Sequence, residues 1–336
     1  MGVATRSLLV VGAGSIGERH LRCFLRTGRV QPAICEINAE LRRRIAERYE
    51  IDRAYPDLNT ALGDSFDAAV ICTPAHLHLA LARALAEAGM HVLIEKPLGT
   101  SLEGIAELKE TLRRKRLVAA MAYVLRCHPS LRAMREAIRS GRFGRPLQLV
   151  TCCGQHFPTF RPAYREIYYK DRATGGGAIQ DALAHQINAG EWIVGPIDRL
   201  TTDAAHQGLD GVEVEDTVGV LARHGGVLGF YALNQYQAPN EITTTVVCQR
   251  GTARWELHRH RWMWMETPNS TWQEESAGEI QRDDLFVDQA NAFLDAIEGR
   301  RPPVCTLQEG IQTQRAIQAA LESAEQGEWR KVEGEE

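Results

Sequence analysis

The first third of the chain repeats one pattern: a short apolar run, then a stretch of helical period. Residues 7–11 (SLLVV) form such a run, suited to a strand buried on both faces. Runs of the same kind follow at 33–37 (AICEI), 67–72 (DAAVIC), 91–95 (HVLIE) and 117–123. Between them, helical spacing covers about Ile16 to Thr27, Leu41 to Arg48, His78 to Ala88 and Leu102 to Lys115, with Gly89 placed as a C-cap. Strict alternation of the two patterns predicts a parallel sheet with right-handed crossovers.

The pattern changes after Arg126. A helix is expected over Pro129 to Ser140 and a long strand over Leu147 to Gly154. The glycine triplet 175–177 opens a helix reaching about Val194. From Leu200 to Met265, alternating stretches are joined by turns such as His224-Gly225-Gly226 and Arg250-Gly251, which reads as an antiparallel meander. Helices close the chain at about Leu285 to Glu298 and Leu307 to Gln326. A chain of 336 residues exceeds the ~250–300 at which single cores divide. Two domains are therefore expected, 1–125 and 126–336, with the seam at Arg126 to Pro129.

Composition is that of an ordinary globular protein, 44% hydrophobic and 24% charged. The net charge of −4 gives no electrostatic reason to bind nucleic acid or a membrane surface. The basic runs Arg42 to Arg44 and Arg113 to Arg116 read as solvated helix faces. None of the eight cysteines forms a CxxC pair, so reduced thiols in a cytoplasmic compartment are expected. No window approaches the ~20 apolar residues of a membrane span, and the short run Leu8 to Val11 is no signal peptide. Gly2 opens a myristoylation pattern that fails at Arg6.

Gly12-Ala13-Gly14-Ser15-Ile16-Gly17 is GxGxxG between a predicted strand and helix. Gly12 permits a tight turn, Gly14 a close backbone approach by pyrophosphate, and Gly17 close helix–strand packing. The free N–H groups of the helix start, from Ser15 and Ile16, favour an anion. Glu36 follows 19 residues after Gly17, where an acid hydrogen-bonds the adenosine ribose. The same carboxylate repels a 2′-phosphate, so NAD is expected over NADP. Thr73 and Pro74, at the carboxyl end of the 67–72 strand, are candidates for the nicotinamide side. His76 and His78 are read as capping or packing groups, since no third metal ligand accompanies them.

Glu95-Lys96-Pro97 ends the 91–95 strand, placing a lysine at the carboxyl edge of the sheet, with a cis Lys96–Pro97 bond in view. Hydride transfer at a carbinol carbon needs a group that moves the hydroxyl proton and positive charge near the oxygen. Lysine has the chemistry for both. Asp181 and His185, four apart after the triplet Gly175 to Gly177, share a helix face. An aspartate beside a histidine fixes its tautomer, as a proton-shuttling dyad requires. Spacing alone favours an ordinary helical ion pair.

The series GxGxxG, acid, CTP, EKP and GGGxxxDxxxH, in this order and spacing, resembles the glucose–fructose oxidoreductase/inositol dehydrogenase/rhizopine-catabolism (Gfo/Idh/MocA) family over nearly the whole chain. The stretch from Phe293 to Pro303 and the helix ending near Gly327 are also similar. The resemblance implies a Rossmann domain, with a doubly wound parallel sheet, followed by an α+β domain with an open, mainly antiparallel sheet. It implies homodimers or homotetramers, and NAD(H)-dependent oxidation or reduction of a secondary alcohol or ketone on a sugar, sugar derivative or cyclitol. Lys96 would contact the reacting hydroxyl, with Asp181 and His185 completing the catalytic group; Glu95 and Lys96 would also line the cofactor. His185 is the expected proton acceptor, and the exchange of roles between it and Lys96 stays open. Asn188 departs from the acid frequent at its position, Ala184 replaces a small polar residue, and the leader of exported members is missing.

Tyr123 and Arg126 follow the last strand of the first domain and are candidate substrate contacts; Arg126 serves equally as a structural ion-pair partner. The segment 154–172 is irregular, aromatic and basic, and is expected to pass over the crevice. His156, Arg161, Tyr164 and Arg165 are its candidate contacts. Trp255, Trp262 and Trp264 read as sheet core or subunit interface. His258 and His260 alternate as on a strand, without the partners of a zinc site, and no metal is expected. Two other readings stay open: a reductase of a non-carbohydrate carbonyl or a tetrapyrrole, and a non-catalytic NAD-binding regulator.

Overall fold

The computed structural model describes residues 5–332, so the Gly2 reading lies outside the described residues. In chain order the elements begin β1 (Arg6–Val11), α1 (Ser15–Arg26), β2 (Val30–Cys35), α2 (Ala39–Tyr49), β3 (Ala54–Tyr55) and α3 (Leu58–Ala61). They continue with β4 (Ala68–Ile71), α4 (His78–Glu87), β5 (His91–Ile94), α5 (Ile105–Lys115), β6 (Ala119–Met121), α6 (Pro129–Arg139), β7 (Pro146–Gly154) and α7 (Phe157–Phe160). Then come α8 (Ala184–Val194), β8 (Arg199–Ala205), β9 (Thr217–His224), β10 (Val227–Asn234), β11 (Glu241–Cys248), β12 (Gly251–Glu256), β13 (Arg261–Met265) and β14 (Gln273–Ser276). The chain closes with α9 (Arg282–Ile297), α10 (Leu307–Gln326) and β15 (Arg330–Lys331).

Two compact units result: residues 1–127 with 281–307, and residues 128–280 with 308–336. The chain passes from the first unit to the second between Cys127 and His128. The single boundary after residue 125 is corrected, because α9 returns to the first unit. Arg19 and Arg22 of α1 reach Asp283 at 3.1 and 2.5 Å, and Arg26 reaches Asp284 at 2.9 Å. Beneath these ion pairs Phe24 meets Phe293 edge to face, so a buried apolar stripe fixes the helix there.

The first unit carries a six-stranded sheet in the order β3-β2-β1-β4-β5-β6, parallel throughout. Leu8, Leu9, Val10, Ala69 and Val70 are fully buried, as expected of strands covered on both faces. The order reverses between β1 and β4, the switch point where doubly wound sheets hold their ligands. β2 begins earlier than its apolar run because Val30 and Gln31 pair with Arg6 and Ser7. β6 is shorter than expected, since the chain turns into a helical loop at Val124–Cys127.

The second unit holds a nine-stranded sheet, β14-β13-β12-β11-β7-β10-β9-β8-β15. Every pair is antiparallel except β7 with β10. α8 lies against β7 and β10. A Cβ on Gly190 would fall 2.1 Å from the Tyr231 hydroxyl, so glycine permits that close packing. Trp255 is fully buried and bonds Ser130, while Trp262 stacks on Trp264 at 4.4 Å, which fits the sheet-core reading. The strand placement of His258 and His260 is corrected: Glu256 pairs with Arg261, leaving 257–260 as the connecting turn, with His260 at φ 48°.

Candidate active site

In the first unit, the loops of the cofactor side leave the carboxyl ends of neighbouring parallel strands. Main-chain bonds extend the ladder into them: Gly12 N–H to Cys35 O, Cys72 N–H to Val11 O, and Glu95 N–H to Ile71 O, at 2.8, 2.8 and 3.0 Å. Gly12 stands at φ 87°, with Cys72 carbonyl atoms 3.0 Å from where its Cβ would lie. A Cβ on Gly17 would sit 1.9 Å from Gly12 O, whereas one on Gly14 meets nothing within 4 Å. α1 begins at Ser15 with no side-chain cap, so its first N–H groups face outward from the turn. Glu36 accepts from Ala13 N–H at 2.8 Å and Asn38 N–H at 2.9 Å, which braces the glycine turn from β2. Arg42 departs from a solvated face: it folds back to donate to Glu36 O at 2.6 Å. Arg43 and Arg44 are exposed as expected.

The Lys96–Pro97 bond is cis. Lys96 is half-buried, and its own N–H donates to Glu95 Oε2 at 3.0 Å. The other Glu95 oxygen lies 2.7 Å from His20 Nε2, with both side chains buried. Burial alone would raise the Glu95 pKa. Hydrogen bonding and charge from His20, then the Lys96 ammonium and N–H, outweigh it, and the carboxyl is held below its usual range. His78 is buried and sets one ring nitrogen 2.8 Å from Thr73 O and the other 2.8 Å from Pro97 O. It packs between the two loops, and burial lowers its pKa. His76 is exposed.

In the second unit, the helix of Asp181 and His185 starts as a π-turn, Ile179–Leu183, and continues as α8. The expectation of a plain α-helix from the glycine triplet is corrected accordingly. The start is tightly built. Glu215, fully buried, accepts from Ile179 N–H at 3.0 Å and Arg172 Nε at 2.8 Å. A Cβ on Gly177 would fall 2.5 Å from the Glu215 carboxylate, and one on Gly176 would fall 2.3 Å from Tyr169 O. Asp181 is buried and accepts from the Tyr168 hydroxyl at 3.0 Å. His185 is half-buried. Asn188, buried, donates to Thr313 at 2.9 Å, which in turn donates to Glu191 at 2.7 Å. An acid at 188 would face that network with charge, so the amide suits this chain.

The loop candidates separate by environment. Tyr164 is corrected to a packing residue: it is buried among Phe157, Tyr169, Leu209, Val212 and Val214, and its hydroxyl bonds Asp210 O at 2.8 Å. Arg165 lies over the Tyr164 ring and also bonds Asp210 O. Arg161 lies over Phe157 and is exposed. His156 bonds Thr159 at 2.8 Å and packs edge-on against Tyr236. Tyr123 and Arg126 are buried, and Arg126 donates to Val304 O at 3.3 Å.

Residues 6–123 match the family model described as "Oxidoreductase family, NAD-binding Rossmann fold", and residues 131–254 match the GFO/IDH/MocA C-terminal domain. The chain belongs to the Gfo/Idh/MocA oxidoreductase family. Among its relatives is the 1,5-anhydro-D-fructose reductase of Ensifer adhaerens, 27% identical over 96% of this chain and 98% of that one. Another is the UDP-N-acetylglucosamine 3-dehydrogenase of Acidithiobacillus ferrooxidans, 25% identical over 93% and 94%. A levoglucosan dehydrogenase solved in complex with NADH and levoglucosan superimposes with a TM-score of 0.89 at 21% identity, over 98% of this chain and 100% of that one.

This Gfo/Idh/MocA protein is thus an NAD-binding oxidoreductase, and its glycine turn fits that cofactor. The open side of Gly14, the uncapped start of α1 and the carboxylate braced at the turn are what a dinucleotide's pyrophosphate and ribose require. Three residues of the site escaped sequence reasoning. His20 lies one helical turn past Gly17, and the periodicity of α1 places it inward. Glu215 and Tyr168 lie in segments that the sequence singles out, but nothing within them marks these two side chains. No helix among the described residues is long and apolar enough to cross a membrane, and no group of three metal-ligating side chains occurs among them.

Proposed function

We propose that this enzyme oxidises or reduces a secondary alcohol or ketone on a sugar, sugar derivative or cyclitol. When bound, NAD supplies a hydride acceptor, and NADH a donor. In the oxidative direction, Lys96 holds and polarises the substrate oxygen. His185 takes the hydroxyl proton as the carbinol hydride departs, and Asp181 fixes the imidazole and offsets its gained charge. In reduction the same proton returns from His185 to the oxygen. Glu36 receives the adenosine ribose, and Ser15, Ile16 and Gly17 present N–H groups to the pyrophosphate. Thr73, Pro74, Glu95 and Lys96 line the nicotinamide side. His156, Arg161 and Arg165 remain candidate substrate contacts.

One observation carries the reading. Lys96 is held from behind by the buried Glu95–His20 pair at the carboxyl end of β5, one strand from the glycine turn's neighbour β4. The relatives act on carbohydrate by name, which supports the substrate class. We also place the enzyme in the cytoplasm, since its eight cysteines are free thiols, and assign it a homodimer or homotetramer. The uncovered face of the second sheet, with half-buried Leu221 and Phe230 and exposed Cys152 and Ala232, suits a second copy.

The test is a panel of myo-inositol, levoglucosan and UDP-N-acetylglucosamine with NAD, and 1,5-anhydro-D-fructose with NADH, followed at 340 nm. Lys96→Ala should lower turnover of the active substrate by at least about 100-fold while NADH still binds, read by its own fluorescence. Undiminished turnover in the variant removes Lys96 from the mechanism.

A further inference from the structure

We propose that Tyr168 is a positioning residue for the reaction, its phenol hydroxyl fixing and charging the Asp181 carboxylate that serves His185. The inference rests on the reading of Asp181 and His185 as catalytic. Tyr168 donates to Asp181 Oδ1 at 3.0 Å, and Asp181 is buried. Tyr168 itself is 38% exposed.

Its neighbours aim it. Tyr169 turns the other way, buried against Phe157 and Tyr164, with its hydroxyl on Gln235. The backbone is stitched to the helix start: Gly177 N–H donates to Tyr169 O at 3.1 Å, Gly176 N–H to Asp171 O at 2.9 Å, and the Thr174 hydroxyl to Tyr168 O at 2.9 Å. One member of the Tyr168-Tyr169 pair anchors the loop, which leaves the other directed at the carboxylate. A hydroxyl that donates to a carboxylate favours its ionised form and restricts its rotation. An aspartate so held offers a fixed acceptor to the imidazole one turn further along. Of the titratable groups around this spot, Tyr169 is kept neutral by its burial and by the carboxylates of Asp181, Glu215 and Asp216, and the Arg172 guanidinium is paired with Glu215.

Tyr168→Phe keeps the ring and removes only the hydroxyl. With ¹³C-labelled aspartate, infrared difference spectra against Asp181→Asn isolate the Asp181 carboxyl without cofactor or substrate. Its protonation midpoint should rise by about one pH unit in Tyr168→Phe. An unmoved midpoint overturns the proposal. With the substrate that the panel identifies, kcat should fall about 10- to 100-fold, KM should hold within about twofold, and the acidic limb of the pH profile should move up. Tyr168→Phe added to Asp181→Asn should cost nothing more. A raised KM at unchanged kcat makes Tyr168 a substrate contact and overturns the proposal. If Asp181→Asn turns over like wild type, the catalytic reading itself falls. If Asp181→Asn is crippled and Tyr168→Phe is not, only the role of Tyr168 falls.

Discussion

Replacing His20 by alanine removes the partner of a buried carboxylate, and the cost follows from the contacts. His20 and Glu95 are 1% and 8% exposed in their side chains and 2.7 Å apart. A hydrogen bond to a charged group contributes about 1.5–3 kcal/mol. The edge-on contact of His20 with Phe286, ring centres 5.2 Å apart, adds about 0.5–1.5 kcal/mol. The Glu95 carboxylate keeps the Lys96 N–H, so His20→Ala should destabilise the first unit by about 2–4.5 kcal/mol. The assay exploits a feature of the chain: Trp192, Trp255, Trp262, Trp264, Trp272 and Trp329 all fall within the second unit. Tryptophan fluorescence therefore follows that unit in urea, while far-ultraviolet circular dichroism follows both. The dichroism transition should shift to lower urea and the fluorescence transition should stay. The pH dependence has a definite sign. Because the folded Glu95 pKa is lowered from 4.5, its stabilisation is fully present above that value and is lost as pH falls through the folded one. The gap between wild type and variant should thus be widest near neutrality and close below pH 4.5. Coincident shifts of both transitions, or a gap below about 0.5 kcal/mol, would refute the reasoning.

Glu36→Ala should weaken NADH binding about 10-fold or more and NADPH binding less, measured by fluorescence titration of each; a wild-type preference for NADPH would contradict the charge argument. Gly177→Ala combines a φ of 89° with a Cβ 2.5 Å from the Glu215 carboxylate, and should cost about 2–4 kcal/mol along with turnover. Gly225→Ala, at φ 59° with nothing within 4 Å, is its control and should cost only about 1–2 kcal/mol in the same urea titration.

What was legible in the sequence was what depends on local rules. The runs around Val10, Val70 and Leu93 announced buried parallel strands, because such strands need apolar residues on both faces. GxGxxG declared its turn, since three glycines at that spacing answer three separate steric demands, and the contacts a Cβ would make at Gly12 and Gly17 confirm two of them. The return of α9 to the first unit was not legible. Its ion pairs join Arg19, Arg22 and Arg26 to Asp283 and Asp284, more than 250 positions away, and charges on two helices carry no mark of each other.

The candidate site divides along the same line. Lys96, Asp181 and His185 stood in recognisable motifs, whereas the groups that hold them did not. His20 and Glu95 are 75 positions apart, Ile179 and Glu215 are 36, and Tyr168 and Asp181 are 13 with an irregular loop between. Tyr164 and Tyr168 are both tyrosines of one basic, aromatic segment, and only the fold decides which is buried. That decision is cooperative. Phe157, Tyr164 and Tyr169 fill the cluster with Leu209, Val212 and Val214, so Tyr168 is left at the surface side, beside Asp181. A motif names the groups that do the chemistry, and the packing of side chains without a motif determines the direction and charge with which those groups meet their substrate.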